Sequence, residues 1–109
     1  MQDLYFKVFK NAPDLSTEGA ICAEHDAYNV ALGYISGQAL VFWMYAMGCD
    51  IKTLHKANSE YFFEKSGFTE QELQIALQEL KRKKYLCLLD EETNTWGLYE
   101  YPRIKGVWE

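Results

Sequence analysis

The chain has 109 residues, of which 49% are hydrophobic and 16% aromatic, and its formal net charge is −5. This length predicts a single domain (1–109). The aromatic content favours a core built on large side chains over an aromatic interaction surface. The acidic balance argues against a basic protein that binds nucleic acid regardless of sequence, since such affinity comes from Lys and Arg neutralising phosphates. Only the block 51–87 is net positive, with seven basic and five acidic residues.

Cysteine usage and hydropathy favour a reducing, cytoplasmic setting. The three cysteines, Cys22, Cys49 and Cys87, are an odd number without close pairing, and the first residues lack a leader pattern. The uncharged window 27–49 has a continuous apolar run only at 39–47, shorter than the roughly 20 residues that a membrane-spanning helix needs. A buried helix is therefore expected there, without membrane contact.

The sequence predicts no metal, cofactor or catalytic site. Cys22, His25, Cys49 and His55 lack the second tight ligand pair that zinc sites use. There is also no third residue placed to orient a Cys and His pair, and no glycine-rich loop to cradle phosphate. We therefore expect a protein that is not an enzyme and carries no cofactor.

The first half of the chain predicts one strand and a buried helix. Residues 4–9 are rich in β-favouring types and predict a short strand, and 11–14 predict a turn. The segment 15–28 is ambiguous, with a short helix at 24–32 as the first choice. A helix at 38–48 is apolar on nearly every face, so it is expected in the centre of the core.

The next segment predicts two helices joined by a tight turn. A connector at 50–57, with a brief extended piece at 51–54, leads to Asn58, which is expected to cap a helix at 59–65. Gly67 ends that helix, and two helices joined by a short glycine-containing turn are the helix-turn-helix unit. The aromatic residues expected to fill the core from this helix are Tyr61, Phe62 and Phe63.

The clearest helix signal begins at Thr69. Thr69 and Glu72 have the spacing of a capping box, which satisfies two backbone N–H groups at the helix start. The basic run 81–84 crowds the last turn, where cations complement the helix dipole. Between these ends lies an apolar stripe at helical spacing, formed by Leu73, Ala76, Leu77 and Leu80.

A hairpin after this helix completes the predicted fold. Strands at 85–89 and 95–101 flank a turn at 90–94. The order of elements predicts the α+β class, as a mainly helical winged helix-turn-helix with a C-terminal β-hairpin wing. Residues 1–33 would form an N-terminal extension and 102–109 a short tail. The expected core comprises Ala39, Val41, Phe42, Tyr45, Leu73, Leu77, Leu80, Leu86 and Leu88.

The stretch 34–101 resembles a known family. The matching residues are Tyr61 to Lys65, Gly67, Phe68, Thr69, Ala76, Leu77, Leu80 and the step Lys84-Tyr85-Leu86 into the hairpin. In this order they resemble the winged-helix domains of phage and plasmid replication proteins, which include replication initiators and DnaD-like organisers. The resemblance implies DNA binding through a recognition helix. That helix often starts with Arg, Ser or Asn in the family, whereas this chain has Glu70, Gln71 and Glu72.

The outward face of the helix that begins after Thr69 is the candidate DNA-binding surface. Helical phase turns glutamines at three positions away from the apolar stripe, and their amides can pair with adenine edges in the major groove. The run 81–84 can contact phosphates or only balance the helix dipole, and both interpretations stay open. The candidate DNA-binding residues are Thr69, Gln71, Gln74, Gln78, Lys81, Arg82 and Lys84.

Other interpretations of this face also stay open. It can be a solvated polar surface, or it can bind a protein through Glu70 and Ile75, the one large apolar residue on it. The acidic tip at 90–92 would be repelled by a DNA minor groove. We therefore expect either a DNA-binding protein of phage or plasmid replication or transcription control, acting on double-stranded DNA, or a mobile-element-encoded adaptor or inhibitor that binds a protein. Homodimerisation is a further option.

Overall fold

A computed structural model describes residues 1–10 and 25–104. In these residues four helices and a four-stranded sheet form an α+β fold, and none of the helices is long and apolar enough to cross a membrane. The strand predicted at 4–9 and the helix first placed at 24–32 are confirmed, whereas the turn predicted at 11–14 lies outside the described residues. The elements are β1 (Tyr5–Phe9), α1 (His25–Tyr34), α2 (Gly37–Met47), β2 (His55–Lys56), α3 (Glu60–Ser66), α4 (Glu70–Arg82), β3 (Leu86–Asp90) and β4 (Thr95–Tyr99).

The N-terminal strand lies in the middle of the sheet. The strand order is β2, β1, β4, β3, with β1 antiparallel to β2 and parallel to β4, while β3 and β4 form the predicted hairpin. Phe6 and Val8 on one face of β1 are buried, whereas Lys7 on the other face is exposed. Part of the segment expected as an N-terminal extension therefore builds the sheet itself.

Helix α2 forms the centre of the core, as its apolar composition predicts. The Phe42 ring lies 5.5 Å from the Phe6 ring of β1 and 5.1 Å from the Phe62 ring of α3, measured between centroids. The indole nitrogen of Trp43 donates a hydrogen bond of 3.3 Å to the backbone oxygen of Tyr99 in β4. Helix α2 therefore contacts both the sheet and the helical layer. Its buried residues are Ala39, Phe42, Trp43, Ala46 and Met47.

Two residues expected in the core, Val41 and Leu88, are exposed instead, by 46% and 48%. Helical phase places Val41 opposite the buried residues of α2. Because α2 contains no charged residue, the sequence does not show which side of the helix faces solvent. Leu88 lies on the edge strand β3, beside a bulge between Leu88 and Asp90. The remaining expected core residues are buried, except for the partly buried Tyr45; they are Ala39, Phe42, Leu73, Leu77, Leu80 and Leu86.

Helix α3 is capped by Ser59, so the predicted cap at Asn58 is wrong. The Ser59 hydroxyl accepts a hydrogen bond of 3.1 Å from the Phe62 backbone N–H. Asn58 instead binds the N-terminal segment, accepting from the Leu4 N–H at 3.4 Å and donating to the Asp3 carboxylate at 3.1 Å. Asn and Ser are about equally good caps, so two adjacent candidates cannot be ordered by propensity.

Two further features around α3 differ from the prediction. The extended piece expected at 51–54 is wrong, because the Asp50 carboxylate accepts the Lys52 N–H at 2.8 Å and forms a local turn, so pairing begins only at β2. The three aromatic residues expected in the core differ in burial, with Phe62 buried, Phe63 partly buried and Tyr61 exposed.

Helix α4 begins and packs as predicted. The Thr69 hydroxyl accepts from the Glu72 N–H at 3.1 Å and the Glu72 carboxylate accepts from the Thr69 N–H at 3.0 Å, which confirms the capping box. Its predicted stripe is buried, and α4 packs against α2 and β3. The hairpin strands are also confirmed, although the second ends at Tyr99 rather than at 101.

We expect Leu77→Ala to lower the free energy of unfolding by about 2–5 kcal/mol, because the cavity left by a buried leucine adds to the lost apolar burial. Leu77 is 2% exposed, whereas Ile75 on the same helix is 52% exposed. The matched control Ile75→Ala should therefore change stability by less than about 1 kcal/mol. Chemical denaturation of both variants measures the difference, and an unchanged midpoint for Leu77→Ala would contradict this packing.

Candidate functional site

The outward face of α4 forms an open groove, here called the α4 groove. Its volume is about 850 Å³, and it is lined by Gln71, Gln74, Ile75, Gln78, Glu79, Lys81 and Arg82. The three glutamines are exposed, as helical phase predicts, and Ile75 lies at mid-helix among them. Five candidate DNA-binding residues thus line one surface, while Thr69 and Lys84 lie at the two ends of the helix.

The acidic residues of α4 are engaged within the protein. The Glu72 pKa is lowered, first by the backbone hydrogen bond and then by the side-chain hydrogen bond from Thr69. The Glu79 carboxylate accepts the backbone N–H of Ser36, which precedes α2, at 3.2 Å. A carboxylate at a helix start is also favoured by the helix dipole. Glu70 forms an ion pair with the amino group of the first residue. Between its two charged ends, the outward face of α4 therefore consists of amides, Ile75 and the groove-lining Glu79.

The basic run 81–84, which spans the end of α4, contains two kinds of residue. The Lys81 ammonium lies 4.4 Å from the centre of the Trp96 ring, and burial lowers its pKa. The Lys83 ammonium lies 4.2 Å from the Tyr34 ring centre and donates to the Tyr34 backbone oxygen at 3.1 Å. Such cation–π contacts hold the two lysines against the fold. Arg82 and Lys84 are exposed.

The hairpin tip is acidic and is anchored to the N-terminal segment. Asn94, in the left-handed conformation with φ 53°, donates to the Asp3 backbone oxygen at 2.8 Å and accepts from the Trp96 indole at 2.8 Å. The sequence indicated a turn here but not the contact with Asp3, because Asp3 and Asn94 are 91 positions apart. Glu91 and Glu92 are exposed at the tip.

The outer face of the sheet carries an aromatic surface that the sequence did not single out. Phe9 and Tyr99 are stacked, with ring centres 4.9 Å apart and planes inclined by 13°. A Cβ at Gly97 would lie 3.0 Å from each ring, so glycine is needed beneath them. The Arg103 guanidinium lies 4.9 Å from the Tyr99 ring centre and covers part of this surface.

The described residues contain no group of three or more His, Cys, Asp or Glu side chains placed to bind a metal. The Cys49 thiol donates to the Tyr45 backbone oxygen at 3.6 Å, and burial raises the Cys49 pKa, which disfavours the reactive thiolate. His55 contacts the Asp50 backbone oxygen at 2.6 Å. Cys22 lies outside the described residues.

Comparisons of the chain with protein-family models, curated proteins and solved structures found no match.

Lys84 ends α4 in a conformation that suits glycine better. Its φ is 69°, and its N–H donates to the Lys81 oxygen at 3.2 Å while the next N–H, of Tyr85, donates to the Leu80 oxygen at 2.9 Å. This is the Schellman pattern, in which the residue after the cap is left-handed and is usually glycine. The candidate DNA-binding Lys84 therefore also occupies a strained backbone position.

We expect Lys84→Gly to raise the free energy of unfolding by about 0.5–1 kcal/mol, because glycine adopts positive φ without the Cβ clash. Lys84→Ala is the matched control. It removes the same charge but keeps the Cβ, so it should give no such gain. Thermal and chemical unfolding of the two variants test this, and equal stabilities would contradict the assignment of strain to the backbone.

Proposed function

We propose that this protein is a DNA-binding winged-helix protein of phage or plasmid replication or transcription control, with α4 as the recognition helix. The order α2, β2, α3, α4 and hairpin supports this, as does the left-handed Gly67, φ 72°, in the short turn between α3 and α4. The strand β1 between β2 and β4 would be an addition to the helix-turn-helix and wing.

The observation that carries the proposal is the exposed row of Gln71, Gln74 and Gln78 in the α4 groove. Spacings of three and four residues put these amides on one side of a helix, where each can form two hydrogen bonds with adenine. The carboxylates of α4 make internal contacts, which reduces their conflict with phosphates. Arg82 and Lys84 are at the helix end, where they would contact the DNA backbone.

The small number of exposed cations determines how strongly the protein is expected to bind DNA and how that binding depends on salt. Lys81 and Lys83 are held by aromatic rings, so Arg82 and Lys84 are the main phosphate ligands of the run. Each phosphate contact contributes a slope of about −0.9 to the dependence of log K on log salt. Binding to random duplex would therefore be weak, and sequence recognition through the glutamines would carry a larger share of the affinity.

We expect Arg82→Gln to weaken binding to mixed-sequence duplex DNA and to flatten the salt slope by roughly 0.9, the value for one lost phosphate contact. Lys81→Gln should change the slope less, because Lys81 lies against Trp96. Fluorescence anisotropy at several salt concentrations measures both. Lys52→Gln, which removes an exposed charge in the loop before β2, is the control. A slope unchanged in Arg82→Gln would contradict phosphate contact there.

A second candidate function is protein binding through the same groove, as an adaptor or inhibitor from a mobile element. The observation that favours it is Ile75, 52% exposed and bordered by amides. An apolar anchor surrounded by polar groups is typical of the energetic centre of a protein interface. The overall charge of −5 and the acidic hairpin tip also suit this function better than DNA binding.

Ile75→Lys separates the two functions. If α4 binds DNA, the added positive charge should preserve or strengthen affinity for mixed duplex DNA, whereas a desolvated lysine at the centre of a protein interface should abolish binding to the partner. The variant should fold normally because Ile75 is exposed, which circular dichroism verifies. Loss of DNA affinity in a folded Ile75→Lys variant would contradict docking of this face on DNA.

A further inference from the structure

The strand β3 leaves one side of its backbone without a neighbouring strand in the described part of the chain. It is the last strand in the order β2, β1, β4, β3. The Tyr99 N–H donates to the Tyr85 oxygen at 2.9 Å, and hydrogen-bonded pairs alternate along an antiparallel ladder. The backbone N–H and C=O of Cys87 therefore point toward β4, and those of Leu86 and Leu88 point to the open side of β3.

This edge lacks the features that usually prevent strands from pairing with other chains. Natural edge strands are protected by charged residues, by proline or by being very short. From Leu86 to Leu89 the strand has neither a charge nor a proline, and Leu88 and Leu89 are each 48% exposed. The bulge between Leu88 and Asp90 interrupts the ladder only at the far end.

The charges at the two ends of β3 are opposite in sign. Arg82 and Lys84 precede the strand, and Asp90, Glu91 and Glu92 follow it. If two copies of β3 pair antiparallel about a twofold axis, the basic end of each copy lies beside the acidic end of the other. Parallel pairing would instead bring like charges together, which destabilises cross-strand neighbours. The edge is therefore electrostatically complementary to itself in one orientation.

We propose that β3 pairs antiparallel with β3 of a second copy, forming a twofold-symmetric dimer with a continuous eight-stranded sheet. Because the bulge follows Leu88, the regular register is centred on Cys87, with Leu86 opposite the partner's Leu88 and Lys84 near the partner's Asp90. Such an interface is isologous, since each contact occurs twice. It does not depend on the function proposed for the α4 groove.

The register has a specific consequence for Cys87. Leu86 and Leu88 would supply the hydrogen-bonded pairs, so the two Cys87 residues would form the intervening pair without hydrogen bonds. Cα atoms in such pairs are about 4.5 Å apart, closer than in hydrogen-bonded pairs and within the range that a disulfide spans. Oxidation of the two thiols would therefore link the two copies at the twofold axis.

The first test is the oligomeric state by sedimentation equilibrium. We expect a reversible dimer with a dissociation constant on the order of micromolar or weaker, as small interfaces give. Leu88→Lys, which places two like charges near the axis, should raise that constant at least about tenfold. Leu54→Lys, at another exposed leucine (54% exposed), should leave it unchanged. The proposal would be overturned if the protein were monomeric at millimolar concentration. It would also be overturned if Leu88→Lys and Leu54→Lys changed the dissociation constant equally.

The second test is oxidation by diamide in a Cys22→Ser/Cys49→Ser background. Each linkage converts two thiols to a disulfide and passes two electrons and two protons to the diamide. We expect a covalent dimer on a non-reducing gel, lost with Cys87→Ser and reduced by Leu88→Lys. A reversible dimer that cannot be linked through Cys87, or a covalent dimer unaffected by Leu88→Lys, would place the interface elsewhere.

Discussion

The burial of α2 is the constraint on which the other elements depend. An eleven-residue helix without a single charge must be covered on most of its surface, and α4 covers one part while the sheet covers another. Phe42 and Trp43 contact the sheet and α3 through ring packing and a hydrogen bond. The narrow stripe of α4 is complementary to this helix because its opposite face is polar and can remain in water.

The same packing decides which charges are available for a partner. Glu79 accepts a hydrogen bond from the residue before α2, Lys83 contacts Tyr34 at the end of α1, and Lys81 contacts Trp96 in the hairpin. Each contact joins α4 or its end to a neighbouring element, so several charged side chains of this helix are engaged in contacts within the protein. The exposed remainder is Glu70 at the helix start, three amides, Ile75 and a short basic end, a surface suited to hydrogen bonding more than to strong electrostatic attraction.

Local signals predicted local structure well and distant pairing poorly. The capping box of Thr69 and Glu72 and the two strand-like runs around the hairpin turn depend on near neighbours, so the sequence shows them directly. The position of β1 depends on residues about ninety positions away, for which one sequence carries no local mark. Val41 was misplaced because a uniformly apolar helix has no polar side to fix its phase. The outward position of the glutamines was predictable, whereas the aromatic partners of Lys81 and Lys83 required the tertiary structure.

The parallel pairing of β1 with β4 affects the order in which the chain can fold. Tyr5 pairs with Thr95, so the middle of the sheet joins the beginning of the described chain to its end. Closing so long a loop costs conformational entropy before the β1–β4 contacts can form, and contacts between residues far apart in sequence slow folding. During synthesis β1 leaves the ribosome before β4, and it has no β4 to pair with until about ninety further residues have been made. The backbone edge of β1 that faces β4 therefore stays unpaired during that interval, and unpaired strand edges make an incompletely folded chain prone to aggregation.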